Sequence, residues 1–350
     1  MGRALPPHYA EQGAVLATVK KIWAGDDQPG TARNVARLET LHGSVGVEGR
    51  HFAFPLATLE EKRSFAQRNQ SWIEVALDIG ERAAREALSN AGLAPADVDH
   101  IFFVTVTGIA TPSIDARLVN RLGLRSDVKR TPIFGLGCVA GAAGTARAAD
   151  YLRAFPDDVA LLVSVELCSL TFQRDDRSIA NAVATGLFGD GSAAVVLSGA
   201  ARSEAAGPSV LGTRSMFYPQ TEEILGWEMG EDGFRILLSG DIPRMAKERI
   251  APDIDAFLTA AGLARADVAH WLFHTGGPKV LDAFRDALQL VPDALARSRR
   301  SLRKLGNLSS ASVLFVLAEL LAERTARSGE YGVMLAIGPG LCAELVLLQW

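Results

Sequence analysis

Apolar runs alternate with amphipathic segments along this chain of 350 residues. Residues 101–106 (IFFVTV) and 159–165 (VALLVSV) are apolar almost throughout, which is typical of strands buried on both faces of a sheet. The segments 140–154 (AGAAGTARAADYLRA) and 309–323 (SSASVLFVLAELLAE) have a helical pattern instead. The alternation predicts an α/β protein with largely buried mixed sheets.

The pattern also repeats. Residues 88–105 (LSNAGLAPADVDHIFFVT) and 258–275 (LTAAGLARADVAHWLFHT) share 11 of 18 positions at a constant offset of 170. Each copy predicts a helix end, a glycine C-cap, a short linker and a buried strand. Shared amphipathic pattern alone does not explain that many identities, so we interpret the chain as a duplication.

Two further pairs support the duplication. Leu-Gly-Cys at 136–138 corresponds to Leu-Gly-Asn at 305–307, and GDGSAAVVL at 189–197 resembles GPGLCAELVLL at 338–348. The prediction is therefore two similar α/β halves, residues 1–204 and 205–350, packed together as one unit. A pseudo-twofold relation between the halves would bring Cys138 and Asn307 face to face.

Composition narrows the class of protein. Apolar residues make up 48% and charged residues 22% of the chain, and the net charge of −4 provides no basic field for nucleic acid. Three widely spaced cysteines favour neither a disulfide framework nor a zinc site. We find no signal-peptide pattern and no apolar run long enough to span a bilayer, and expect a cytoplasmic protein without membrane insertion.

Cys138 is the candidate nucleophile. It lies in FGLGCVAGAAG, where small residues allow a ligand to approach the backbone and a following helix would direct its N–H groups at the sulfur. A structural cysteine is the alternative. The pairing with Asn307 across the repeat favours catalysis.

His274 and Asn307 are the candidate partners of that cysteine. His274 replaces an apolar residue, Val104, at a matched position of the repeat, and Gly276 and Gly277 follow it. A core histidine is the competing interpretation. Asn307, in LGNLSSAS, could cap a helix or donate its amide to a thioester oxygen. A nucleophile, a proton partner and a neutral donor are what thioester condensation requires.

Six motifs in order resemble the type III polyketide synthases, the chalcone synthase-like family, over nearly the whole chain. They are VTGIATPSID (106–115), GLGCVAGAAG (135–144), GLFGDG (186–191), HTGGPKVLDA (274–283), GNLSSAS (306–312) and GPGLCAE (338–344). The resemblance implies a thiolase-like, duplicated αβαβα five-layer fold and a homodimer. It also implies free CoA thioesters as substrates, with no metal or other cofactor.

The resemblance assigns roles to particular residues. It makes Cys138 the nucleophile, with His274 and Asn307 as base and donor, and implies that His274 and a helix dipole lower the pKa of the thiol. It places cavity-lining side chains at Phe188, Phe234, Cys168, Thr171, Thr111, Ala184 and Ser309. For the phosphates of CoA we name Lys279, with Gly276 and Gly277 beside it, and Arg50 as a weaker candidate.

The substrate is less closely defined. ATPSIDAR and FGLGCVAG resemble bacterial members that make alkylpyrones or alkylresorcinols from malonyl-CoA and a medium or long acyl-CoA starter, which is our preferred expectation. Cys168 also resembles a cysteine of bacterial tetrahydroxynaphthalene synthases, which use malonyl-CoA alone.

Three rival classes share some of these features. An initiating ketoacyl-ACP synthase would carry a His-Gln-Ala-Asn turn in place of HTGGPK. A non-catalytic partner subunit of a condensing complex would usually lack the cysteine. A cysteine hydrolase would rarely show the duplicated plan.

Overall fold

The structure, a computed structural model, describes residues 1–25, 31–202 and 207–350. Within those residues its strands are β1 Gly2–Ala4, β2 His8–Glu11, β3 Gly49–Phe52, β4 His100–Thr105, β5 Lys129–Phe134, β6 Val159–Leu167, β7 Asp190–Ser198, β8 Ser209–Phe217, β9 Leu225–Gly230, β10 Gly233–Leu238, β11 Val268–Phe273, β12 Tyr331–Gly338 and β13 Cys342–Gln349.

The helices alternate with these strands, as predicted. They are α1 Gln12–Ala24, α2 Thr31–Ser44, α3 Phe65–Ala91, α4 Ile114–Leu122, α5 Ala140–Ala154, α6 Ile179–Leu187, α7 Ile242–Met245, α8 Ala251–Ala260, α9 Pro278–Ala287, α10 Ala296–Leu305 and α11 Ala311–Glu323. A π-helical stretch, Ala246–Ile250, joins α7 to α8. Five short 3₁₀ turns complete the described elements: Leu56–Glu60, Pro95–Asp97, Gly137–Val139, Cys168–Thr171 and Arg265–Asp267.

Two sheets with the same strand plan form the body of the molecule. The first has the order β1-β7-β6-β4-β5 and the second the order β8-β13-β12-β11. In each sheet the central strand pairs in parallel with one neighbour and antiparallel with the next: β6 with β4 and β7, and β12 with β11 and β13. The first sheet is built from residues 2–198 and the second from 209–349, so each half of the repeat supplies one sheet.

Both sheets are buried on both faces. In β11, Trp271 and Phe273 face the outer core with α8 and α9, whereas Leu272 faces the inner core with α5 and α11. The side chains of the first sheet also face two cores, and α3 and α4 pack on its outer side. The order is outer helices, sheet, inner helices, sheet, outer helices, which confirms the duplicated five-layer thiolase-like fold. Because strand side chains alternate between faces, burial on both faces explains the continuous apolar runs.

The repeated segment folds the same way twice. Gly92 and Gly262 have φ of 68° and 73°, the left-handed conformation that glycine adopts without strain. Asp97 and Asp267 then accept hydrogen bonds from the backbone N–H groups of residues 94 and 264, at 2.7 and 2.8 Å. The sequence identities therefore record one helix–turn–strand unit used in both halves.

Candidate active site

Cys138 lies where the two inner helices begin. It belongs to the 3₁₀ turn Gly137–Val139, which leads directly into α5, and it is buried. A Cβ on Gly141 would lie 2.1 Å from the carbonyl oxygen of Ser310, just before α11. The run of small residues after Cys138 therefore allows the starts of α5 and α11 to meet, and it brings the Cys138 segment against the Asn307 segment as the duplication predicted.

The surroundings of the thiol act on its pKa in opposite directions. Ser309, with a left-handed φ of 48°, places its Oγ 3.5 Å from Cys138 Sγ. Burial raises the pKa of the Cys138 thiol to about 12, the Ser309 hydroxyl lowers it, and the nearby Glu166 carboxylate raises it further. The net direction is opposite to our expectation, so thiolate formation depends on the positive end of α5 and on a proton acceptor.

Asn307 has a fixed amide orientation. Its Oδ1 accepts hydrogen bonds from Ser309 N–H at 2.8 Å and from the Ser312 hydroxyl at 3.3 Å. Its backbone pairs with the α6–β7 connection: Asn307 N–H donates to Leu187 O, and Gly189 N–H donates to Asn307 O. Ser310, not Asn307, is the N-cap residue of α11. With its oxygen occupied, the amide can offer only its Nδ2 donor to a ligand.

His274 follows the last residue of β11. Its backbone N–H donates to Leu335 O on β12, which continues the strand pairing by one residue. The side chain is buried, Nδ1 has no partner among the described residues, and burial lowers the pKa of the imidazole to about 3. A Cβ on Gly276 would lie 3.4 Å from His274 Cδ2, so the glycine leaves the ring edge open. The imidazole is neutral and able to accept or donate a proton.

His100 and His270, which match each other across the repeat, have structural partners. Their Nε2 atoms lie 2.8 Å from Thr131 Oγ1 and from Glu330 Oε2, respectively. Only His274 among these three lacks a side-chain partner, which is the asymmetry that the sequence indicated.

A cavity adjoins this group of residues. Four predicted cavity residues line it together: Cys168, Thr171, Ala184 and Phe188. The backbone of Phe188 forms an isolated β-bridge with Asn307, which joins the cavity wall to the segment that carries Asn307. The ring of Phe188 and the ring of Trp227 stand 6.5 Å apart on the cavity wall.

Three predicted cavity residues do not line the cavity in this chain: Phe234, Thr111 and Ser309, the last of which lies beside Cys138. Phe234 is 4% exposed and packs behind the wall against Phe65 and Trp227, while Ile236, two residues further along β10, lines the cavity instead. Phe234 and Ile236 lie on the same face of β10, and the role of Phe234 at a substrate stays a prediction. Thr111 is exposed, outside the cavity of its own chain.

The two cations named for CoA have different locations. Lys279 is exposed at the start of α9, directly after Gly276 and Gly277, and its role stays a prediction. Arg50 is 1% exposed and lines the cavity. Arg50 is thus buried inside the chain, away from the exposed surface where Lys279 lies, and its role in binding CoA stays a prediction.

Sequence reasoning missed Glu166. Glu166 is the last residue but one of β6, a strand that is buried throughout. It accepts hydrogen bonds from Val106 N–H at 3.1 Å, the Thr107 hydroxyl at 2.9 Å and the Ser310 hydroxyl. Burial raises its pKa to about 7 despite these donors. The available signal was an acidic residue inside an apolar strand, two positions before Cys168.

No helix among the described residues is long and apolar enough to cross a membrane.

Comparisons with known proteins agree with this geometry. Residues 1–201 match the N-terminal domain, and residues 210–350 the C-terminal domain, of the chalcone and stilbene synthases. Together the fold and the sequence define a condensing enzyme of the acyltransferase class, a type III polyketide synthase. The chain belongs to the chalcone and stilbene synthase family.

Individual relatives cover almost the full chain. A 1,3,6,8-tetrahydroxynaphthalene synthase of Streptomyces peucetius subsp. caesius is 48% identical over 349 residues, covering 99% of this chain and 91% of the relative. A putative chalcone synthase of Bacillus subtilis (strain 168) is 37% identical over 328 residues, covering 91% and 90%. The crystal structure of 1,3,6,8-tetrahydroxynaphthalene synthase from Streptomyces coelicolor A3(2) superposes with a TM-score of 0.92 at 32% identity, covering 100% of this chain and 97% of that one.

Proposed function

We propose that the protein makes 1,3,6,8-tetrahydroxynaphthalene, or a closely related polyketide, from malonyl-CoA alone. The observation that carries the proposal is the 48% identity over 99% of the chain to a synthase of that product. This substrate replaces the fatty acyl-CoA starter that the sequence motifs favoured. Cys168 on the cavity wall is consistent with it, because that cysteine was the residue that pointed to malonyl-CoA alone.

The reaction balances without an oxidant or reductant. Five malonyl groups lose five molecules of CO2 and five of CoA thiol, and ring closure with loss of one water leaves ten carbons as a naphthalene tetrol. We therefore propose that the enzyme needs no metal or redox cofactor.

Priming uses Cys138 and His274. His274, neutral because it is buried, accepts the thiol proton. The thiolate and imidazolium that form stabilise each other by their opposite charges, and the positive end of α5 stabilises the thiolate further. The sulfur attacks the malonyl thioester carbonyl, so that the new bond to Cys138 forms as the bond to the CoA sulfur breaks. The CoA thiolate leaves with the proton returned from His274.

Extension uses Asn307 as the fixed donor. The thioester oxygen of a second malonyl-CoA accepts a hydrogen bond from Asn307 Nδ2 and another from His274. Loss of CO2 leaves an enolate whose negative charge these donors stabilise, since they need not reorient as the charge develops. Its carbon attacks the acyl group on Cys138, and transfer of the longer chain back to Cys138 permits the next cycle. The apolar ring of Phe188 lowers the solvation of the departing carboxylate.

Mass spectrometry of the products tests the proposal. The purified chain is incubated with malonyl-CoA alone, and in parallel with malonyl-CoA plus acetyl-, hexanoyl- or palmitoyl-CoA. We expect a naphthalene tetrol, or its oxidised quinone, from malonyl-CoA alone, and its loss in Cys138→Ala. Products that require an added acyl-CoA would contradict the proposed substrate while leaving the condensing chemistry intact.

A further inference from the structure

Arg50 is a buried cation on the wall of the cavity, and no carboxylate among the described residues forms an ion pair with it. It lies on β3, where its Nη1 donates to Gln12 Oε1 and its Nη2 donates to the carbonyl oxygen of Thr185. Both acceptors are neutral. Within the described parts of the chain no ion pair includes Arg50, and its Nε is buried without a hydrogen-bond partner.

The nearest carboxylate has other partners. Asp190 attracts the guanidinium, but its oxygens accept hydrogen bonds from Ala53 N–H at 2.6 Å and from Ser169 N–H at 2.8 Å. The Ser169 hydroxyl also donates to it. Asp190 is thus held by neutral donors, outside ion-pair distance of Arg50.

Burial without an anion is costly for a guanidinium. Burial lowers the pKa of Arg50 to about 10, and the same cation helps to lower the pKa of the neighbouring His42 to about 4. A positive potential therefore surrounds this part of the cavity. An anionic ligand in the cavity would gain attraction to the Arg50 guanidinium. The cost of removing water from that cation would not be added to binding, because it is already incurred on folding.

The position of Arg50 connects it to the reaction site. A Cβ on Gly306 would lie 3.1 Å from Arg50 Cδ, and a Cβ on Gly189 would lie 3.2 Å from Arg50 Cβ. The arginine stem therefore packs against the bridge between Phe188 and Asn307. Cys168 lines the same cavity as Arg50, and a charge on its thiol would interact with both Arg50 and Cys138.

We propose that Arg50 binds the carboxylate at the far end of a malonyl-primed chain, and so selects malonyl over neutral starters. This inference rests on the proposed function, in which malonyl-CoA is the starter. A chain begun from malonyl keeps a carboxylate at its distal end as it grows from Cys138, whereas a chain begun from acetyl ends in a methyl group. The Arg50 guanidinium on the cavity wall attracts the carboxylate of the first chain, and a charge-assisted hydrogen bond to it has no counterpart with the methyl group of the second.

A starter competition measures this preference. Wild type and variants receive equal concentrations of malonyl-CoA and deuterated acetyl-CoA, and mass spectrometry gives the ratio of malonyl-primed to acetyl-primed products. Arg50→Met keeps the apolar stem and removes the charge. We expect the ratio to fall about 10- to 100-fold, since a buried charge-assisted hydrogen bond contributes about 1.5–3 kcal/mol.

A second pair of variants tests the contact between Arg50 and the starter if Arg50→Met does not fold. Gln12→Glu places a carboxylate on Arg50 Nη1 and neutralises the site, so the ratio should fall in the same direction. Gln12→Met removes the amide, which donates to Gly186 O at 3.0 Å, without adding charge. It is the matched control, and its ratio should stay within about twofold of wild type.

Two results would overturn the inference. An unchanged ratio in Gln12→Glu or in a folded Arg50→Met variant would mean that the guanidinium does not contact the starter. An equal loss of both product classes would assign Arg50 to packing or to the extender unit. The wild-type protein tests the proposed function separately, because failure to form any malonyl-primed product would overturn that function before the variants are compared.

Discussion

Glu166→Gln tests how the buried carboxyl group that raises the pKa of the Cys138 thiol is itself held. In the folded chain the pKa of Glu166 is about 7, compared with an ordinary value of 4.5, because burial disfavours its charge. The folded state therefore binds a proton more tightly than the unfolded state. Stability is greatest below pH 4.5, falls as the pH rises towards 7, and no longer changes with this group above that.

The magnitude follows from the difference in pKa. A difference of about 2.5 pKa units at 1.36 kcal/mol per unit is roughly 3 kcal/mol in total, and about 2 kcal/mol of it falls between pH 5.5 and pH 8.5. Glutamine cannot ionise, so this loss should disappear. Its oxygen can accept from Val106 N–H and Thr107, and its amide can donate to Ser310, which also lies 2.9 Å from Ser164.

Urea unfolding at the two pH values provides the measurement. Between pH 5.5 and 8.5 the free energy of unfolding of wild type should fall by about 2 kcal/mol more than that of Glu166→Gln. A constant offset from altered hydrogen bonds cancels in this difference. Glu74→Gln, on the exposed face of α3, is the control and should match wild type. Equal pH dependence in wild type and Glu166→Gln would refute a raised pKa at Glu166.

The remaining predictions concern the donor, the cavity wall and one turn. Asn307→Asp removes the Nδ2 donor and should slow CO2 release from malonyl-CoA about 10²- to 10³-fold, a loss under about tenfold counting against its role. Ile236→Ala should change the product profile measured by mass spectrometry. Phe234→Ala should chiefly lower the free energy of unfolding, by about 3–5 kcal/mol. The reverse pattern would contradict the placement of Ile236, and not Phe234, on the cavity wall. Gly306→Ala should lower the midpoint of urea unfolding, because φ is 72° and its Cβ would lie 2.6 Å from Leu187 O. An unchanged midpoint would show that the turn relaxes.

Local patterns in the sequence were sufficient for the repeated framework. The apolar runs predicted strands buried on both faces, and the 11 shared positions predicted one helix–turn–strand unit in each half. The offset also paired Cys138 with Asn307, whose helices begin side by side. These features could be predicted because each depends on side-chain period and on local turn chemistry, which short segments of sequence carry.

The edges of the site were harder to predict. The sequence of residues 201–235 has little hydrophobic periodicity, yet this segment contains β8, the edge strand of the second sheet, and most of the β9–β10 hairpin. β8 is held in the sheet by antiparallel pairing with β13, which lies far along the chain. Its own sequence pattern therefore does not predict it. Phe234 and Ile236 share one face of this hairpin, and only their tertiary neighbours decide that Phe234 packs against Phe65 while Ile236 lines the cavity.

The chain's own sequence therefore determined the layered fold and which residues carry reactive groups. Tertiary structure alone decided their electrostatic state. In the sequence, Arg50 is an ordinary cation and Glu166 an ordinary anion. Burial by distant segments leaves Arg50 without an ion-pair partner among the described residues, and it raises the pKa of Glu166. Whether a group is buried depends on all the segments that pack around it, so a short stretch of sequence does not predict its charge state.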